Sequence, residues 1–193
     1  MSESMHRVFF ALWPTAEALG HLEVLAGDLL EYAAGHPRRT PVDNLHLTLA
    51  FVGGVPASRL DALYACAARV SAQAFELSLD RFGFWPQGGI LWAGCGPPAP
   101  LSAADEPSRQ RRLLTQLANE LRAQLQAHGF APDPQPFTPH VTLARGVRRA
   151  DLPRLGTPVR WRADEFVLLE SQRGVKGSNY ATLASFPLTV DER

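Results

Sequence analysis

Apolar residues follow two rhythms along the chain. RVFFALWP (7–14) is a run of aromatic and branched side chains that stops at Pro14, which predicts a buried strand. Leu19, Leu22, Leu25, Leu29 and Tyr32 then recur at helical spacing, predicting a helix from about Thr15 to Ala34 with Thr15 as its N-cap. GHPRRTPVDN (35–44) reads as a loop from its Gly, Pro and Asn content. HLTLAFVGG (46–54) is a second strand, and Leu60, Leu63, Tyr64, Ala67 and Val70 mark one face of a helix from about Ala57 to Ala72. FELSLDRFGFW (75–85) alternates in its first half and predicts a half-exposed strand. ILWAG (90–94) follows as another, with PQGG (86–89) as the hairpin turn between them.

The second half opens after GCGPPAPLSAADEP (94–107), a Pro- and Gly-rich connection that is the best internal boundary. A helix is expected from about Pro107 to His128, with Leu113, Leu114, Leu117, Leu121 and Leu125 as its apolar stripe and Gly129 as its stop. FAPDPQPFTP (130–139) carries four prolines and must be extended. HVTLARG (140–146), VRWRADEFVLLESQR (159–173) and YATLASFPL (180–188) predict strands, the last two joined by GVKGSN (174–179). The order is β-α-β-α-β-β, then α-β-β-β. Helices and strands do not alternate strictly, which favours an α+β fold with antiparallel sheets. No tandem repeat of 20–50 residues is present, but each half holds a helix and a strand beginning His-x-Thr.

Composition narrows the class. The chain is 46% hydrophobic and 20% charged, so a packed core is expected rather than disorder. Lys+Arg and Asp+Glu both number 19, so a polyanionic partner has to meet a local basic patch. Arg109, Arg111 and Arg112 form one such cluster, Arg145, Arg148 and Arg149 another. Two cysteines, Cys66 and Cys95, are too few for a disulfide framework or a Cys-rich zinc site. VFFALW (8–13) is too short for a signal segment or a membrane span. A soluble cytoplasmic protein with no membrane association is therefore expected.

The candidate chemistry lies in the repeated motif. His46-Leu47-Thr48-Leu49 matches His140-Val141-Thr142-Leu143. Six His and nine Thr in 193 residues give about 0.3 His-x-Thr pairs by chance, so two in strands, each followed by Leu, stand out. Side chains alternate along a strand, so each His shares a face with its Thr while the apolar residues anchor the other face. Histidine titrates near pH 6.5, so one ring can hold a proton while another lacks it. That pair suits concerted acid and base catalysis, with the threonine hydroxyls donating to phosphoryl oxygens. The residues themselves leave open which ring is acid and which is base.

These motifs, with RVFFAL near the start, NLHLTLAFVG, TPHVTLARG and the closing YATLASFPL, resemble the 2H phosphoesterase superfamily. The branch they are most similar to is the RNA 2′,3′-cyclic phosphodiesterases, historically called LigT-type 2′-5′ RNA ligases. The resemblance covers nearly the whole chain. It implies a bilobal, pseudo-two-fold α+β domain spanning residues 1–193. Each lobe has an antiparallel sheet with helices packed outside, and the active-site cleft lies between the lobes. It further implies opening of RNA 2′,3′-cyclic phosphate ends to 2′-phosphomonoesters, with His46 as proton donor to the departing 3′ oxygen and His140 as base. RNA with a cyclic phosphate terminus is the expected partner. No cofactor, metal or obligate protein partner is implied, and reverse 2′-5′ ligation is open by microscopic reversibility. Other readings are a related activity on small cyclic nucleotides or ADP-ribose cyclic phosphate, or an RNA-end-binding module without chemistry.

Arg145 matches an arginine that often follows the family's second motif, and a guanidinium suits a substrate phosphate. Strict alternation puts it opposite His140 and Thr142, so it reaches the cleft only if the strand ends or bulges near Ala144. Arg38 and Arg39, just before the first motif, are candidates for RNA phosphate. His6, His21, His36 and His128 lie outside any paired motif and read as surface or structural. Phe84 and Trp85 read as hairpin packing, with base stacking as the alternative. GVKGSNY (174–180) has the wrong spacing for a Walker phosphate loop.

Overall fold

The computed structural model describes residues 3–96, 105–174 and 177–190. Ten strands and three α-helices follow one another as β1 (Met5–Leu12), α1 (Ala16–Asp28), β2 (Ala33–Arg39), β3 (Leu47–Pro56), α2 (Leu60–Ala67), β4 (Phe75–Leu79), β5 (Arg81–Trp85), β6 (Ile90–Gly94), α3 (Glu106–Ala127), β7 (His140–Ala150), β8 (Val159–Ala163), β9 (Glu165–Gly174) and β10 (Gly177–Pro187). The class is α+β, with one eight-stranded and one two-stranded antiparallel sheet. No described helix is long and apolar enough to cross a membrane.

The large sheet runs β10-β9-β1-β3-β7-β6-β5, with β2 paired to β7, while β4 and β8 form the small sheet. Its two halves meet where β3 pairs β7 through a single residue couple, Leu47 with Val141. These are the strands that carry the matched motifs. On either side the pattern repeats: β1, α1 and β3 in one half, β6, α3 and β7 in the other. The helices cross over, since α1 packs against β7 and α3 against β3. Leu47, Leu49, Val141 and Leu143 are at most 1% exposed and join Leu22, Leu114, Leu117 and Leu121 in one core. Burying each such side chain is worth roughly 1.5–3 kcal/mol, so a slip that turned either motif over would be heavily penalised.

Several boundaries depart from the periodic reading. The first helix ends at Asp28, and a 3-10 turn over Leu29–Tyr32 delivers the chain into β2. Thr15 does cap it, its hydroxyl accepting from the Ala18 amide at 3.4 Å. Residues 35–44 are not all loop, because β2 is an edge strand on β7. Gly35 has φ 121°, and a Cβ there would lie 2.8 Å from the Gly146 carbonyl oxygen. The register jumps from Gly35 to Arg38, so Pro37, which has no N–H to give, is left out of the ladder. The second helix shrinks to Leu60–Ala67 behind a 3-10 turn. The stretches 75–85 and 159–173 each break at an aspartate, Asp80 and Asp164, and the pieces serve different sheets. β7 runs on to Ala150 and β10 starts at Gly177. Most of the 94–107 connection, and residues 175–176 of the last, lie outside the described residues.

Gly83 faces Trp92 across the β5–β6 pair, and the Trp92 indole fills the space a Cβ would need. Gly83→Val should therefore push the indole away and lower stability by about 1–3 kcal/mol in chemical denaturation, without changing the fold.

Candidate active site

His46 immediately precedes β3 and His140 is the first residue of β7. Both rings use the same local anchor. His46 Nδ1 lies 2.7 Å from the Asn44 carbonyl oxygen, and His140 Nδ1 lies 2.7 Å from the Thr138 carbonyl oxygen. A carbonyl only accepts, so Nδ1 of each ring carries the hydrogen and Nε2 is the nitrogen left for chemistry. Both rings, Thr48 and Thr142 line one cavity of about 570 Å³.

The two rings differ in their surroundings. His46 is enclosed by Phe9, Tyr180 and Trp13, with ring centroids at 4.9, 5.0 and 6.0 Å. Phe9 belongs to a small apolar cluster with Ala11, Val167 and Leu169, which backs the His46 side of the site. His140 packs edge-on against Trp85 at 4.6 Å, with Trp92 behind at 6.4 Å. Burial pushes the His46 imidazole down to about 4, its bond to the Asn44 carbonyl pulls the other way, and His140 and Arg145 add repulsion. Burial also lowers His140, opposed by its bond to the Thr138 carbonyl and assisted by the Arg145 charge. Both rings are thus held towards their neutral forms.

Arg145, Arg38 and Arg39 line the same cavity, so all seven residues singled out from the sequence border one space. Arg145 gets there through a bulge. Opposite β6, Trp92 faces Thr142 and Leu91 faces Ala144, which leaves Leu143 extra. Leu143 and Ala144 are both buried, and the next side chain returns to the His–Thr face. The first motif has the same device: Ala11 faces Thr48 and Phe10 faces Ala50, with Leu49 extra. The residue brought back there is Phe51, which also lines the cavity, under the Arg7 guanidinium at 5.1 Å.

Sequence reasoning missed Arg7, Phe9, Phe51 and Tyr180 as lining residues. Their signal was only an aromatic, strand-like run, which is what a core strand also shows. Trp85, read as hairpin packing, packs against a motif histidine. The remaining histidines stand apart: His6 pairs with Glu170 at 2.7 Å, and His128 Nδ1 donates to the Gln124 carbonyl at the end of α3. Among the described residues, no Asp or Glu lines the cavity. Among the described residues, no group of three His, Cys, Asp or Glu side chains is placed to hold a metal ion.

With this geometry in view, residues 12–175 match the model of the 2'-5' RNA ligase superfamily. The chain is 34% identical to an RNA 2',3'-cyclic phosphodiesterase of Escherichia coli K12 over 190 residues, 98% of this chain and 99% of the relative. It is 29% identical to the protein of that name from Thermus thermophilus, over 94% of this chain and 90% of the relative. The crystal structure of E. coli LigT complexed with 3'-AMP superposes with a TM-score of 0.82 at 33% identity, covering 96% of this chain and 99% of that one. The chain belongs to the 2'-5' RNA ligase superfamily.

Proposed function

We propose that this protein is a cytoplasmic RNA 2′,3′-cyclic phosphodiesterase, working as one bilobal domain, that opens the cyclic end to a 2′-phosphomonoester. One observation carries the reading. Two imidazoles from different halves of the chain, each fixed through Nδ1 to its own backbone, share one cavity with two threonine hydroxyls and four arginines. The names of the bacterial relatives support the activity, and the E. coli complex with 3'-AMP supports a ribonucleotide as the group bound.

In this mechanism the cyclic phosphate lies between the rings. A water oxygen attacks phosphorus and passes its proton to His140 Nε2. The bond from phosphorus to the 3′ oxygen breaks, and that oxygen takes a proton from His46 Nε2. Thr48 and Thr142 hydroxyls donate to the non-bridging oxygens, where charge gathers. Arg145, with Arg38 and Arg39 at the rim, offsets that charge. His46 is held down to about 4 without substrate. The arriving phosphodiester, an anion, favours the imidazolium and offsets the burial that disfavours it. All the protonic steps fall to side chains of this chain, so none needs a metal.

Replacing either ring, His46→Ala or His140→Ala, should lower kcat by about 10²–10⁴ with the circular dichroism spectrum unchanged. Full activity in either variant ends the assignment. The pH profile has a definite sign. The acid ring is lost as pH rises through its value, the base ring as pH falls through its own. Both are depressed in the free protein, so the bell of kcat/KM should have both limbs below about 6.5. The alkaline limb of kcat, measured with substrate bound, should sit higher. A chelator should leave the rate unchanged; loss of activity reversed by added metal argues for a metallohydrolase.

A further inference from the structure

β2 and β7 pair as a ribbon leading away from the cavity, and its charge is of one sign. It carries Arg38 and Arg39 on one strand and Arg145, Arg148 and Arg149 on the other, all exposed, and no Asp or Glu. Arg38 lies directly opposite Arg145. Like charges facing each other across a strand pair destabilise it. Among the described residues, no carboxylate forms an ion pair with any of the five.

The pseudo-two-fold supplies an internal control. Phe51–Pro56 on β3 is the counterpart of the segment after the second motif, and its residues, FVGGVP, carry no charge. The strand that follows the first motif therefore lacks the run of arginines that follows the second. Arg148 and Arg149 do not line the cavity. At about 3.3 Å per residue, Arg149 lies roughly 13 Å along β7 from Arg145, beyond the reach of a single phosphate at the catalytic rings.

We infer that the β2–β7 ribbon is the track for the RNA body: with the cyclic end in the cavity, the preceding backbone phosphates run along Arg148 and Arg149. This rests on the proposed cyclic phosphodiesterase reading and adds to it a direction of chain exit and a preference for oligonucleotides over mononucleotides.

The test compares the wild-type protein with the double variant Arg148→Ala/Arg149→Ala on two probes. One is a 2′,3′-cyclic mononucleotide, the other a ten-nucleotide RNA ending in the cyclic phosphate. For the RNA, Kd by fluorescence anisotropy should rise about tenfold at low salt, and the slope of log K against log salt should shrink by about 1.4, as expected for two lost contacts to a single strand. For the mononucleotide, kcat/KM should not change. Unchanged RNA affinity, or an equal loss on both probes, overturns the inference. If the wild type binds the RNA in this arginine-dependent way yet turns over neither probe, the binding track stands and the catalytic reading falls.

Discussion

A single couple, Leu47 on β3 and Val141 on β7, is where the two halves of the large sheet hydrogen-bond. Everything at the site hangs from that seam. Each of its residues sits one position after a histidine, and each is fully buried. Because strand side chains alternate, burying Leu47 and Val141 forces His46 and His140 onto the opposite face, one on either side of the couple. The core packing and the placement of the rings are one constraint. The crossed helices reinforce it, α3 supporting β3 and α1 supporting β7, so each motif strand is held by a helix from the other half.

How far the sequence reveals this follows from how local each cause is. The motif strands and the long leucine-striped helix were legible because their periods are complete within about ten to twenty residues. The two-stranded sheet was not, since 75–85 and 159–173 each read as one strand-forming run, and nothing local says that the chain changes sheets at Asp80 and Asp164. β2 was hidden by Gly35 and Pro37, which mark turns in isolation and are tolerated here only through skipped register on an edge. The bulges at Leu49 and Leu143 were equally silent. Each adds one apolar residue between a threonine and an alanine, and only the pairing reveals that Arg145 returns to the cavity.

The cavity combines features that oppose each other without an anion. Among the described residues its walls hold arginines and two half-buried imidazoles but no carboxylate, and both rings are pressed towards neutrality. Apolar rings around His46 deepen the effect by excluding water. Such local conflicts are expected where folding stability yields to binding. The opposed Arg38 and Arg145 belong to the same pattern.

Each histidine is steadied by a backbone carbonyl two residues away, with no acidic side chain behind it. A buttressing carboxylate would hold a standing positive charge on the imidazole; a neutral amide oxygen orients the ring and raises its basicity without supplying a countercharge. The proposed acid is therefore left unloaded at rest and is charged by the visitor it is to act upon. An uncharged ester of the same shape would meet a disarmed site, so discrimination in favour of phosphodiesters is written into the choice of what stands behind the ring.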